Sequence, residues 1–236
     1  MRDEIKDNQY FETYIKDLSD EIVDFEKFLL QIIEEKGEAF NGVRSGHKTL
    51  RFYHVNKIKA LYSKGVAIAE IKELYPRYLE CLIKSWKAHD GMDILLDVVS
   101  LGILLNIDRI QIEKLTEFLK KEDINDIIID FLLNELDSDW EIRDNSVRYP
   151  LAYELLGNII MEVNKDRQLE LLKQYLDQWY RNNDDSAWYN SHNSKQDTYN
   201  GYWSFETGAM VKALGLDDSS LKGRKFYPFD MVHFEG

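Results

Sequence analysis

The chain has 236 residues, 44 % of them hydrophobic and 13 % aromatic, with one cysteine (Cys81), three prolines and twelve glycines. That apolar share supports a packed core and excludes wholesale disorder, and so little proline and glycine argues against collagen, sandwiches and turn-rich all-β folds. Forty-three acidic against 30 basic residues give a net charge of −13, which repels nucleic acid and anionic membrane and attracts basic partners.

The length suits one large domain or two small ones. The start, Met1-Arg2-Asp3-Glu4-Ile5-Lys6-Asp7, lacks the apolar core of a signal peptide. The longest apolar stretch, Ile94 to Leu105, is interrupted by Asp97 and Ser100 and is shorter than the roughly 20 residues that span a bilayer. A lone cysteine suits a reducing compartment. The expectation is a soluble cytoplasmic protein with neither membrane nor nucleic acid as a direct partner.

Residues 3–36 read as one long helix, because Phe11, Ile15, Leu18, Ile22, Phe25, Leu29 and Ile32 alternate steps of four and three on one stripe. The stripe either packs on its own domain or mediates a homodimer. Gly37 to Thr49 reads as a loop broken by Gly37, Gly42 and Gly46. Leu50 to Lys64 returns to helix, as does Val66 to His89, where Pro76 either kinks the helix or opens a second one at its first turn. Gly91 ends that segment.

Helices are then expected over Met92–Leu105, Arg109–Lys120, Ile124–Leu136, Val147–Val163 and Lys165–Arg181, joined by short polar segments. Asn182 to Thr198 is the longest loop, and long loops in compact domains are often functional. From Trp179 onward the chain holds 12 of its 30 aromatics. The fold class is all-α: a compact multi-helix domain with a long N-terminal helix and an aromatic-rich C-terminal segment. An N-terminal helical region, 1–120, and a C-terminal one, 121–236, are expected to form one compact unit.

No enzyme signature emerges. The five histidines form no metal-binding pair, and His47 and His54, if helical, stand about 10 Å apart along the axis. Cys81 reads as a buried small hydrophobe among Tyr78, Leu82 and Trp86. Glu70-x-Lys72 is a fragment of a nuclease-like triplet without the strand that would carry it. There is no nucleophile elbow, phosphate-binding loop or dinucleotide fingerprint.

The charge pattern says more. Between Glu122 and Asp144 stand nine acids against one base, Arg143. Asp123, Asp126, Asp130, Asn134 and Asp137 step by three and four, which puts them on one helical face opposite Ile127, Ile128, Phe131 and Leu132. Like charges so spaced destabilise a helix by about 0.2–0.5 kcal/mol per pair. The face is either the solvated side of an acidic protein or a docking strip for a basic surface. Asp139, Glu141, Asp184-Asp185 and Asp217-Asp218 extend it. Against the trend, Asn41 to Lys59 carries Arg44, Lys48, Arg51, Lys57 and Lys59 and no acid. This segment either contacts phosphate or balances the chain's own acidic faces.

From Tyr202 the pattern is a mostly buried helix closed by Gly215. It sets Glu206 inside an apolar stripe, where a carboxylate must be paired or hydrogen-bonded. Glu206 reads as a structural carboxylate tying the C-terminal loop to the helix, or as a catalytic acid working with Asp197 or His233 in a hydrolase.

Gly201-Tyr202-Trp203, Glu206, Ala209, Leu214-Gly215-Leu216-Asp217-Asp218 and Tyr227-Pro228-Phe229-Asp230 together resemble the C-terminal signature of the PoNi family, bacterial immunity proteins for polymorphic nuclease toxins delivered to rival cells. The pattern covers about 30 residues, and the N-terminal half is similar in style. The resemblance implies an all-helical cytoplasmic protein that binds a DNase toxin and blocks its active site, with no catalytic residue, metal or cofactor. The motif residues read as core. The binding face expected from charge comprises Asp123, Asp126, Asp130, Asp137, Asp139, Glu141, Asp184 and Asp185. The alternative is a helical scaffold or adaptor for another basic protein.

Overall fold

A computed structural model describes residues 1–143, 146–147 and 150–236, with 150–152 described by backbone alone. Asp144, counted in the acidic run, and Arg148 and Tyr149 of the helix expected from Val147 lie outside the described residues. All regular elements among the described residues are helical. No helix among them is long and apolar enough to cross a membrane. The chain divides into two units, 1–87 with 190–201, and 88–189 with 202–236.

In the first unit, α1 spans Asn8–Lys36 and is capped by Asp7, whose side chain accepts from Tyr10 N at 2.8 Å. It starts later than the periodicity predicts because Asp3 turns the chain first, its Oδ1 accepting from the amides of Ile5 and Lys6 at 2.8 and 2.9 Å. Phe11, Tyr14, Leu18, Ile22 and Leu29 are buried against α2, while Ile15, Phe25 and Ile32 are half-buried.

The expected loop 37–49 is a correction: α2 runs from Asn41 to Lys64, leaving only four residues between the two helices. Gly46 is a packing notch within α2, since a Cβ there would lie 2.6 Å from Leu29 Cδ1. The glycine lets α1 approach. Two short helices follow, α3 (Ile68–Lys72) and α4 (Tyr75–Ser85), and Pro76 stands in the first turn of α4.

Residues 190–201, part of the long loop, complete this unit. Tyr10 Oη donates to the Tyr199 carbonyl at 2.9 Å and accepts from its amide at 3.0 Å. Tyr199 Oη donates to buried Asp3. Asn200 Nδ2 donates to Asn56 Oδ1, and Ser63 Oγ to the Asn200 carbonyl, both at 2.8 Å.

In the second unit, α5 (Asp93–Leu104) is apolar almost all round and buried from Leu95 to Leu104 apart from Asp97. It is packed by α7 (Ile127–Leu136) and α10 (Phe205–Leu214). Between α5 and α7, α6 (Arg109–Lys121) opens on a reciprocal cap in which Asp108 and Gln111 satisfy each other's backbone amides. Then come α8 (Pro150–Met161) and α9 (Lys165–Asn182), capped by Asn164. A single turn, α11 (Phe229–Val232), packs on α10. The sequence pattern does not predict it.

Candidate functional site

The expected acidic strip does not form as one face. The step counting assumed a helix from Ile124, whereas α7 begins at Ile127, so Asp123 and Asp126 precede it. Asp126 is the N-cap, 4 % exposed, accepting from the amides of Ile128 and Ile129 at 2.9 and 3.2 Å. It answers the unpaired donors of the first helical turn.

Asp130 is fully buried. It accepts from Trp140 Nε1 at 2.9 Å and from the Arg143 amide at 3.1 Å, with the Arg143 guanidinium at 3.4 Å. Asp137, 8 % exposed, follows the end of α7, accepts from Asp139 N at 3.4 Å and faces Arg109 Nη1 at 3.5 Å. For these three the expectation of a solvent-facing strip is corrected. A ten-residue helix buried on most of its circumference leaves no room for a separate polar face, and Phe131, assigned to the apolar side, is half-buried.

What remains outside is Asp123, in the left-handed region with φ +50 and a side chain 91 % exposed, together with exposed Asp139, Glu141, Asp184 and Asp185. Even here basic groups intrude. Arg143 reaches Asp123 at 3.5 Å and donates to the Ile124 carbonyl. Lys120 and Arg143 both lie over the Trp140 ring, at 5.4 and 5.6 Å from its centroid. This loop is stitched together by its charges, and its free acidity is less than the composition implies.

Glu206 is 6 % exposed, and its Oε1 accepts from Tyr175 Oη at 2.9 Å, Trp179 Nε1 at 2.5 Å and Ser204 Oγ at 2.8 Å. Burial pushes its carboxyl pKa up, against the pull of the Ser204 and Tyr175 donors. It ties α9 to α10, not the C-terminal loop as its position in the pattern suggested. His233, one of the two partners the hydrolase reading offered beside Asp197, pairs with buried Asp218 at 3.0 Å, and Asp218 also accepts from Tyr227 Oη at 2.6 Å.

The other motif residues are mostly structural. Gly201 is buried with φ +105, and Gly215 caps α10 in the left-handed region. Tyr202, Tyr227 and Pro228 are buried and Trp203 half-buried, while Asp217 and Asp230 are exposed. The Ser219 amide, donating to Asp217 at 3.0 Å, holds that carboxyl pKa down. Tyr202 and Phe226 pack against Tyr180 at 4.9 and 5.5 Å, and Trp188 stacks on Trp179 at 5.0 Å. The aromatic texture of the C-terminal segment is thus a packed cluster, with Trp179, Tyr202, Phe205 and Tyr227 buried and Tyr180, Trp188 and Phe226 half-buried.

The basic segment 41–59 is partly drawn inward. Arg44 Nε donates to the Ser85 carbonyl at 2.9 Å, and buried Arg51 reaches Ser85 Oγ at 3.4 Å. Cys81 is buried, and burial pushes its thiol pKa up to about 11. Among the described residues no group of three His, Cys, Asp or Glu is placed to hold a metal ion.

Periodicity missed an acidic surface elsewhere. Asp20, Glu21 and Asp24 on α1 are exposed, beside aromatic rings that stand off the buried stripe. The signal was Phe28, three residues after Phe25 and out of step with the core spacing.

A family model described as "PoNe immunity protein (PoNi), N-terminal" matches residues 2–117, and one described as "PoNe immunity proteins (PoNi), C-terminal" matches residues 124–231. Among solved structures, the chain is similar to that described as the crystal structure of protein PA2201 from Pseudomonas aeruginosa. The TM-score is 0.70 at 17 % identity, over 98 % of this chain and 89 % of that one, which shows a shared fold. No curated protein gives a significant match.

Proposed function

The chain belongs to the family of PoNe immunity proteins (PoNi), and from that premise we propose that it binds a cognate PoNe-type nuclease toxin and blocks DNA cleavage. The observation that carries this reading is that the two family models together extend from residue 2 to residue 231.

The physical route is charge complementarity. A nuclease must hold phosphates, so its DNA-binding cleft is basic, and a protein of net charge −13 competes for that cleft as a phosphate mimic. Inhibition then needs no chemistry from the immunity protein, only tight occupancy. In the second unit, the acids available for docking are Asp123, Asp139, Glu141, Asp184 and Asp185. Asp130 and Asp137 act from inside, by holding the loop that presents Asp139 and Glu141, while Asp126 caps α7.

The test is a plasmid-cleavage assay of a PoNe-type nuclease toxin domain, with and without one equivalent of the purified protein. Protection, with a one-to-one complex by light scattering, is the expected result. The same measurement on the free chain reads whether it is a monomer or a homodimer. Undiminished cleavage at saturating protein overturns the reading for that toxin.

A further inference from the structure

The first unit carries a surface that the core does not use. On α1, half-buried Phe25 at the edge of the stripe and exposed Phe28 stand beside Tyr53 of α2. Phe25 stands edge-on to Tyr53 with ring centroids 6.1 Å apart, and Phe28 edge-on to Phe25 at 6.0 Å. Together with Asp20, Glu21 and Asp24, these three rings line an open groove of about 410 Å³. Phe28 is 53 % exposed, and Phe52, whose ring lies 6.3 Å from that of Tyr53, is 58 % exposed.

Four clustered aromatics with two rings more than half in water form a patch of the kind that marks an interaction surface. The carboxylates narrow the occupant. An apolar partner would strip water from three carboxylates and offer them no hydrogen bond in return, which is costly. An anionic partner would be repelled. A guanidinium or ammonium group satisfies both halves, taking the ring faces by cation–π attraction and the rim by charge-assisted hydrogen bonds.

The local cations do not close the groove. Lys16 meets Asp20 at 2.7 Å and Lys27 meets Asp24 at 3.5 Å, but all four side chains are 65–81 % exposed, and such pairs are weak and readily exchanged.

We propose that the α1–α2 groove of the first unit is a docking site for an arginine or lysine side chain presented by the toxin. The proposal rests on the immunity reading and names a second surface for it. Arginine is the better fit, because its planar guanidinium stacks on a ring while bridging two carboxylates.

The experiment compares binding of the full-length protein and its variants to a catalytically dead form of the same nuclease domain. Asp20→Asn/Glu21→Gln/Asp24→Asn removes the rim charge, Phe28→Ala removes the exposed ring and Phe28→Tyr restores one. These sites are at the surface, and circular dichroism with thermal melting establishes that each variant is folded. The expected result is a loss of affinity of about tenfold or more for the triple variant, larger at low salt than at high. Phe28→Ala loses about fivefold and Phe28→Tyr stays near wild type. If wild type binds tightly and both folded groove variants bind within about twofold of it, the groove is overturned while the immunity reading stands. If Asp139→Asn/Glu141→Gln/Asp184→Asn/Asp185→Asn abolishes binding and the groove variants do not weaken it, the contact lies in the second unit and the groove is again overturned. If wild type itself fails to bind, the immunity reading falls and takes the groove with it.

Discussion

Two acid-rich regions of similar composition serve opposite ends. Around α7, Asp126 caps a helix, Asp130 holds an indole and an arginine from inside, and Asp137 pins a turn. On α1, Asp20, Glu21 and Asp24 stand on an exposed edge. An acid just before or inside a short apolar helix is captured by backbone donors and buried partners. An acid in the middle of a long amphipathic helix has its backbone already bonded, and Asp20 and Asp24 meet only exposed lysines that exchange readily. Acidic count alone therefore does not locate a docking face.

The comparison breaks most sharply at Asp130. Asp130→Ala leaves the buried Trp140 indole N–H and the Arg143 amide without their acceptor and removes a buried charge partner of the Arg143 guanidinium, and should cost about 3–5 kcal/mol, read from the urea midpoint. A variant as stable as wild type would show that the acids around α7 are not structural after all. For the same reason, reversing Asp126, Asp130 and Asp137 to lysine tests folding rather than binding.

The inner side of the two helices that form the groove gives the next effect. His54 is 5 % exposed, and neither ring nitrogen has a hydrogen-bond partner among the described residues. Burial pulls its pKa down to about 4, opposed by Glu26 and reinforced by Arg77 and Lys57, with Glu80 a weaker opposing charge. The unfolded chain takes up this proton below about pH 6.5 and the folded chain only near 4, so stability falls as pH falls through that window, by up to roughly 3 kcal/mol. His54→Leu should flatten this dependence in thermal melts between pH 7 and 4, and equal slopes in the two proteins would refute it.

Asp126→Ala should cost about 1 kcal/mol, as the loss of an N-cap does, measured by the same denaturation. The smallest effect is on the other side of the comparison. Asp20→Asn/Asp24→Asn should leave the melting temperature within about 2 °C of wild type. It should slow toxin association in low salt, and a large drop in melting temperature would mean that the α1 edge is structural too.

The all-α class, α5, α6, α9 and the Gly215 cap were legible because each is set by local spacing that a 3.6-residue period exposes. The start of α2 was not, because a glycine that admits Leu29 and a glycine that breaks a helix are the same letter. The strip around α7 was misread because Asp123 and Asp126 precede the helix, and Asp130 on it is covered by Trp140 and Arg143 from the following loop, which no periodicity within the helix reveals. The groove escaped because its rings come from two helices, and no single periodic pattern contains Phe28 and Tyr53 together. The family signature, by contrast, was readable, and its residues proved mostly to be core.

The first unit is discontinuous: it is finished by residues 190–201, which bring Tyr199 to Tyr10 and Asp3 and Asn200 to Asn56 and Ser63. A chain leaving the ribosome at about 5–20 residues per second therefore exposes the N-terminal helices, with Asp3 and Asn56 still lacking these partners, until the whole of 88–189 has been made. For some seconds these helices wait on a segment that is made after them.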